Sequence, residues 1–191
     1  GRYTFISLPG LSLYTSVPNL ADSVYASMIK NMQGPFFREY RTPNETSYAS
    51  ADTSLWFFWS LQKTHRDLAA VEVWRKYGKV MKSILEGYAL PNANGIALHD
   101  NGLLFIDPMR PALTWMNAYA NNYPVTPRAG YVSEVNALWY NALHYATDLA
   151  RASGDKAFLK KWEPLMQLAG RSFESVFWND AFGYLADCVY E

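Results

Sequence analysis

Aromatic rings, planar amides, one arginine and one carboxylate lie close together in residues 113–143, which read LTWMNAYANNYPVTPRAGYVSEVNALWYNAL. Sugars present apolar C–H faces that stack on Trp and Tyr, and they present hydroxyl groups that bond to planar partners such as Arg, Glu and Asn. Trp115 lies in a polar loop rather than in a periodic apolar stripe, which favours a stacking role over a core role. The segment therefore predicts a site that binds carbohydrate.

Four polar candidates follow Trp115 in this segment: Arg128, Glu134, Asn136 and Tyr140. We expect Glu134, Asn136 and Tyr140 to lie at the mouth of the cleft. Two of the four also have a purely structural interpretation. Arg128 could anchor its loop by bonding to carbonyl groups, and Glu134 falls in the first turn of a predicted helix, where a carboxylate interacts favourably with the helix dipole.

Two upstream residues are further candidates for contact with a sugar. Asp52 stands at the start of a predicted helix, where it could cap the helix, bind sugar hydroxyls, or do both. Trp56 lies inside that helix, which is apolar on almost every side. The pattern therefore favours a core position for Trp56 and leaves a sugar-stacking role as the alternative.

Apolar residues at spacings of three and four predict the helices that must position these side chains. The stripe over residues 134–150 predicts a helix capped by Ser133 and closed by Gly154. A second helix is predicted to open at Asp155, with a break or kink at Pro164. Because only a few residues join the two helices, we expect them to be antiparallel neighbours.

Other segments extend the helical pattern. Helices are predicted over residues 4–13, 19–32, 52–62 and 67–86, and a short β-hairpin is predicted over residues 96–106. Regular strands are otherwise scarce. Six or so helices in antiparallel pairs predict an all-α fold, a single domain that forms about half of an α/α toroid.

Composition excludes several classes of function. The chain has 17 basic and 17 acidic residues and no net charge, so it lacks the field that would attract nucleic acid or an anionic membrane. A single cysteine, Cys188, excludes an internal disulfide framework, and the three histidines lack metal-ligand spacing, so we expect neither a metal nor a cofactor. No apolar stretch reaches about 18 residues and no signal peptide is visible, which predicts a cytoplasmic protein.

Six ordered segments carry a resemblance to a known family: GRYTFISLPGL (1–11), ADTSLWFFW (51–59), LTWMN (113–117), PVTPRAG (124–130), VSEVNALWYNAL (132–143) and GYLADCV (183–189). Along its whole length the chain resembles the glucosidase domain of glycogen debranching enzymes, the amylo-α-1,6-glucosidase type, whose fold is an (α/α)6 barrel. The resemblance implies inverting hydrolysis of α-1,6-linked glucose in glycogen or another α-glucan. In inversion, one carboxylic acid protonates the glycosidic oxygen while a carboxylate on the opposite face activates water.

The resemblance also implies roles for individual residues. The family's acid is an aspartate on the loop after TWM, and Asn117 occupies that position in this chain. An amide has no proton to transfer near neutral pH, so general-acid assistance is expected to be lost there. Glu134, or less favourably Asp107, could stand in as the acid. Arg2 matches the family arginine that grips the terminal glucose, while Tyr3 replaces the aspartate that follows it.

The length of the chain adds a further expectation. A barrel of twelve helices needs about 350 residues at typical helix and loop lengths, so residues 1–191 are expected to be a fragment, a partial α/α-barrel domain whose catalytic base lies outside this sequence. The exposed flank of a half barrel predicts pairing with a second copy or with the missing half. Two alternatives to a hydrolase remain open: a catalytically incomplete remnant that binds glucan, and a helical scaffold that binds another protein.

Overall fold

The computed structural model describes residues 1–17, 19–42, 45–91 and 93–190. Six helices lie within these residues: α1 (Arg2–Tyr14), α2 (Leu20–Lys30), α3 (Thr53–Thr64), α4 (Ala70–Tyr88), α5 (Ser133–Ala152) and α6 (Lys156–Phe177). Each corresponds to a helix that the apolar periodicity predicts. Within the described ranges, no helix has both the length and the apolar character needed to cross a membrane.

The α5–α6 hairpin shows how local sequence sets the helix ends. The Asp155 carboxylate accepts a 3.1 Å hydrogen bond from a backbone N–H in the first turn of α6, and so caps that helix. Gly154, with φ of 70°, takes the left-handed conformation that follows the end of α5. Two details differ from the prediction. The cap residue of α5 is Val132 rather than Ser133, and α6 continues through Pro164 without a break.

Helices α1, α3 and α5 form one packed series. Helix α3 packs against both α1 and α5, and α5 also packs against α4 and α6. A cluster of buried aromatic rings joins α1 to α4: Phe5, Tyr25, Phe37, Phe57 and Tyr77. The centroids of Phe5 and Phe37 are 4.8 Å apart, in an edge-to-face arrangement. Because large buried rings remove much apolar area from water, this cluster accounts for part of the high aromatic content of the chain.

Ten short strands accompany the helices in the part of the chain that the structure describes. They are β1 (Glu39–Thr42), β2 (Glu45–Ser47), β3 (Ile96–Leu98), β4 (Leu104–Ile106), β5 (Tyr119–Ala120), β6 (Tyr123–Pro124), β7 (Gly130–Val132), β8 (Trp178–Asn179), β9 (Tyr184–Leu185) and β10 (Cys188–Val189). The predicted hairpin is confirmed as β3 and β4. Strands β7 and β10 extend it into a four-stranded antiparallel sheet with the order β10-β7-β4-β3.

The all-α prediction therefore holds only roughly. The fold is mainly helical, but it also contains small antiparallel sheets, and the remaining strands pair as the hairpins β1–β2, β5–β6 and β8–β9. Most of these strands have two or three residues, which is too short for an alternating apolar pattern to appear in the sequence. The additional strands matter for function because β7 leads directly into α5.

Asp22 ties α2 to the helices beside it. Its Oδ1 lies 3.0 Å from Nε2 of His65 and accepts a hydrogen bond from the hydroxyl of Tyr77, while its Oδ2 lies 2.6 Å from Nζ of Lys76. Partial burial raises the pKa of Asp22, but the bonds from Lys76, Tyr77 and His65 outweigh burial and lower the pKa from 3.8 to about 2. The ionised carboxylate therefore stabilises the packing of α2.

We expect an Asp22→Asn variant to be less stable than wild type at pH 7, by about 1 to 2 kcal/mol, because the amide loses the charged pairs. Since the folded-state pKa of about 2 lies below the unfolded value of 3.8, the stabilisation is present above pH 3.8 and is lost as the pH falls toward 2. Urea unfolding at pH 7 and at pH 2.5 should show a difference between the two proteins that shrinks at the lower pH. An equal difference at both pH values would contradict this assignment.

Candidate functional site

The N-terminal ends of α1 and α3 meet at a buried ion pair. Nε and Nη2 of Arg2 donate to the Asp52 carboxylate at 2.9 to 3.0 Å, and Nη2 also donates to Ser50 Oγ at 3.1 Å and to the carbonyl of Thr114 at 3.2 Å. Both side chains of the pair are buried. Asp52 occupies the cap position of α3, as predicted, but its side chain makes no capping bond because its oxygens bind Arg2 and Ser50 instead.

A second carboxylate, from Glu39 in β1, joins this pair. Its Oε2 accepts hydrogen bonds from the backbone N–H of Arg2 at 2.8 Å and from Thr53 Oγ1 at 2.6 Å, and it lies 4.0 Å from Nη1 of Arg2. Burial raises the pKa of Glu39, yet the bonds from Thr53 and Arg2 outweigh burial and hold the pKa below its usual 4.5. The ends of α1, α3 and β1 thus share one buried network of charged groups.

At the start of α5, the buried guanidinium of Arg128 lies between two carboxylates. Its Nη1 and Nη2 donate to the two oxygens of Glu134, the second at 2.6 Å, and its Nε and Nη2 donate to Asp187 at 3.0 and 2.5 Å. Burial lowers the pKa of Arg128, but the two carboxylates outweigh burial and raise the pKa above its usual value. The side chains of Glu134 and Asp187 are 28% and 70% exposed, so both remain accessible to a ligand.

Thr114 connects the two arginine networks. Its carbonyl accepts the bond from Arg2, and its hydroxyl accepts a 3.5 Å bond from Nη1 of Arg128. The same hydroxyl accepts a 3.3 Å bond from the N–H of Met116, which bends the chain at Trp115. Thr114 is fully buried, whereas Trp115 is 49% exposed. The two networks therefore fix the chain at Thr114, directly before a half-exposed indole.

Further rings and an amide follow this indole along the chain. Asn117 is half-buried, two residues after Trp115, and the β5–β6 hairpin exposes Tyr119 and Tyr123. A pocket of about 170 Å³ opens beside this segment and includes Leu113 and Tyr119 in its lining. Exposed ring faces beside amide and carboxylate groups can bind a sugar through stacking and through its hydroxyls.

The structure pairs several of the predicted residues with one another. Arg2 and Asp52, which were expected to bind hydroxyl groups, use their polar atoms on each other beneath the surface. Arg128 and Glu134 pair as well, but Glu134 stays partly open to solvent. Trp56 is partly buried, packs on the core and meets a neighbouring tryptophan edge to face, which fits the core position that its apolar helix favours.

Asn136 and Tyr140 do not lie with Glu134 at the mouth of a cleft. Asn136 is fully buried, because its Oδ1 accepts a 2.7 Å bond from the N–H of Leu104 and its Nδ2 donates to the carbonyls of Leu104 and Val132. It clamps β4 to the start of α5. Tyr140 follows Glu134 by six residues, which turns it roughly 120° around the helix. It lines a groove of about 320 Å³ against α6.

Five residues of these networks were not among the sequence candidates for the site: Glu39, Ser50, Thr53, Thr114 and Asp187. Glu39 and Thr114 lie outside the periodic helical patterns, and no local motif connects either of them with an arginine far along the chain. Asp187 lies within the segment GYLADCV, which carries part of the family resemblance, so that segment is the signal that could have identified it.

Asp107, Cys188 and His99 are three further side chains with reactive groups. The Asp107 carboxylate, the second candidate to replace the acid, accepts a 2.8 Å bond from the N–H of Met109 within a turn. Burial raises the pKa of the Cys188 thiol to about 11, which disfavours the thiolate. A pocket of about 500 Å³ is lined by His99 and Tyr131 and by none of the predicted site residues. Among the residues that the structure describes, no group of three His, Cys, Asp or Glu side chains could hold a metal ion.

A family model described as amylo-alpha-1,6-glucosidase matches residues 1–191 of the chain. The match includes both arginine networks and the segment between them. Searches of curated proteins and of solved structures found no match. Function must therefore be inferred from this family match together with the geometry of the site.

Proposed function

The chain belongs to the amylo-alpha-1,6-glucosidase family of glycogen debranching enzymes, and we propose that it binds and hydrolyses α-glucan at the end of the fold where α1, α3 and α5 begin. The observation that carries this proposal is the pair of arginine networks joined at Thr114, the residue directly before the half-exposed Trp115. An exposed aromatic face that follows Thr114, with the carboxylates of the Arg128 network and the amide of Asn117 two residues further on, matches the chemistry of a sugar ring.

Helix packing supports a site at the rim of an α/α barrel. Helices α1, α3 and α5 pack in series, and their N-terminal ends carry Arg2, Asp52 and Glu134, which Thr114 and Arg128 connect. In a toroid of helix pairs, alternate helices line the inside and the others form the outer layer. We therefore propose that the chain forms a single partial α/α-barrel domain, about half a toroid, with α1, α3 and α5 on its inner side.

The exposure of each side chain supports a division of roles. Trp115 stacks on the apolar face of a glucose unit, while Glu134 and Asp187 accept hydrogen bonds from sugar hydroxyls. Arg128 is buried and holds both carboxylates in place. Arg2, also buried, acts one step further from the ligand, because it binds the carbonyl of the residue before Trp115.

Whether this chain can hydrolyse glucan depends on which residue donates a proton to the glycosidic oxygen. Inversion needs an acid and a base roughly 6.5 to 9.5 Å apart, and Asn117 stands at the family's acid position without a proton to transfer. Both oxygens of Glu134 accept bonds from Arg128, an arrangement that suits an ionised acceptor better than a proton donor. Glucan binding without turnover is therefore the second candidate function, and the amide at position 117 is the observation that favours it.

Two assays on the protein separate these functions. Calorimetric titration with maltooligosaccharides measures binding, and glucose release from an α-1,6-branched dextrin measures hydrolysis. Binding with release of β-glucose supports an inverting hydrolase, whereas binding without release supports the second candidate. A flat titration would overturn both glucan proposals and favour a scaffold that binds another protein.

Trp115→Ala is expected to weaken maltooligosaccharide binding about tenfold, because it removes the stacking face and little else. Tyr14→Ala is the matched control, since Tyr14 is an exposed ring at the opposite end of α1, a helix of 13 residues that spans roughly 20 Å. The control should bind like wild type. Equal affinities for wild type and Trp115→Ala would remove the indole from the site.

A further inference from the structure

The β8–β9 hairpin presents exposed aromatic side chains that no step of the proposed site uses. Phe182 and Tyr184 are 67% and 58% exposed, and Trp178 and Leu185 are also exposed. Large side chains gathered on a short hairpin leave a more continuous apolar surface in water than the same side chains would if they were scattered singly. Such a gathering marks a binding surface rather than an ordinary feature of a protein exterior.

The rings of Phe182 and Tyr184 stack on each other at the exposed tip of the hairpin. Their ring centroids are 5.6 Å apart, and their planes differ by 26°. The strand register pairs Trp178 with Leu185 and Asn179 with Tyr184. Since consecutive residues of a strand point to opposite faces, Tyr184 and Leu185 lie on opposite faces of the hairpin. The ring pair therefore belongs to one face, and Leu185 belongs to the other.

The hairpin has a fixed connection to the proposed glucan site. Directly after β9, the N–H of Ala186 donates to the carbonyl of Phe177 at 2.7 Å. The next residue, Asp187, binds Arg128 through its side chain, and its carbonyl accepts a 3.0 Å bond from the N–H of Ser133. The ring pair thus lies a few residues along the chain from Asp187, a carboxylate of the proposed site. The bonds of Asp187 to Arg128 and Ser133 hold the segment that follows the hairpin.

We propose that Phe182 and Tyr184 form a second stacking platform, which binds an α-glucan chain that extends beyond the site around Trp115. The inference rests on the proposed function. The outer faces of this stacked pair offer an apolar surface for the C–H faces of glucose units, and the Tyr184 hydroxyl offers a partner for sugar hydroxyl groups. The Oδ1 of Asn179 accepts bonds from the N–H groups of Phe182 and of the residue before it, and so holds the turn that carries Phe182. Continuity through Asp187 favours the same polymer at both places.

The test compares a short and a long ligand. Phe182→Ala and Tyr184→Ala are each expected to weaken binding to glycogen about fivefold, as the loss of one stacking contact should. Binding of maltose, which offers only two glucose units and is expected to occupy the site around Trp115, should not change. Leu185→Ala, on the opposite face of the same hairpin, should change neither affinity. Circular dichroism of all three variants should match wild type because the three side chains are exposed.

Each other outcome overturns the platform in a different way. If wild type binds both ligands and neither ring variant weakens glycogen binding, the platform is absent and the proposed function stands. If both ligands weaken equally, the rings belong to the central site. If wild type binds neither ligand, the proposed function and the platform fail together. Loss of self-association in Phe182→Ala, with glycogen binding unchanged, would assign the surface to a second copy of the chain.

Discussion

Replacement of Arg2 by methionine is expected to lower the free energy of unfolding by about 3 to 5 kcal/mol, the range for removal of one partner from a buried ion pair. The Arg2 guanidinium is buried and binds Asp52, Ser50 and the carbonyl of Thr114. Methionine fills much of the same volume but leaves the Asp52 carboxylate buried without a cation. Glu39, 4.0 Å from the guanidinium, also loses a positive charge beside it. The cost therefore comes mainly from carboxylates left behind in a dry environment.

Urea unfolding at pH 7 measures this effect, and Arg151→Met is the matched control. Arg151 pairs with Asp148 and Glu163, but these side chains are about half-exposed, so its loss should cost much less than the loss of Arg2. A double variant, Arg2→Met with Asp52→Asn, should recover part of the stability because one stranded charge is gone. A loss from Arg2→Met no larger than that from the Arg151 control would contradict the buried network.

The helices were predictable because their information is local. The apolar stripe of α5 and the Asp155 cap of α6 lie within a few residues of the structure they specify. Strands β7 and β10 were not predictable in the same way. Each has two or three residues, and they pair across most of the last third of the chain. Their pairing depends on how α5 and α6 bring the two segments together, which no local pattern contains.

In the candidate site, too, a pair that is close in sequence was easier to predict than a pair that is far apart in sequence. Arg128 and Glu134 are six residues apart, and the sequence placed both in one candidate cleft, although either could have been structural. Arg2 and Asp52 are separated by 50 positions, and only the family resemblance drew attention to Arg2. Even then, the pairing of these two side chains with each other was not foreseen, because a type of residue does not reveal whether its partner is a ligand or another side chain.

Asn136 is the candidate whose partners differ most from those that the sequence predicts. Its neighbours in the sequence predict that its amide binds sugar hydroxyls, yet the amide bonds to the backbone of β4 and Val132. A buried backbone edge needs the same donors and acceptors that a sugar needs. Trp115 is exposed and Trp56 packs against the core, which accords with the different sequence contexts of a ring in a polar loop and a ring in an apolar helix.

Asn117→Asp is expected to increase glucose release from an α-1,6-branched dextrin by about 10² to 10⁴-fold, the usual contribution of general acid–base assistance. The change replaces an amide with a carboxyl group of the same shape, so the half-buried side chain can keep its place. The new activity should decline as the pH rises, since only the protonated carboxyl can donate to the glycosidic oxygen. Maltooligosaccharide affinity should change little, because Trp115 and the Arg128 network are untouched.

Asn121→Asp is the control for the added charge. Asn121 lies in the turn of the β5–β6 hairpin with φ of 51°, a conformation that aspartate also adopts, and it should give no gain. Absence of a gain in both variants would mean that position 117 does not supply the proton. If wild type already releases glucose rapidly, another group donates that proton, and Glu134→Gln decides whether it is Glu134. The glutamine keeps one acceptor oxygen toward Arg128 but removes the ionisable group, so a loss of turnover with binding retained would assign the chemistry to Glu134.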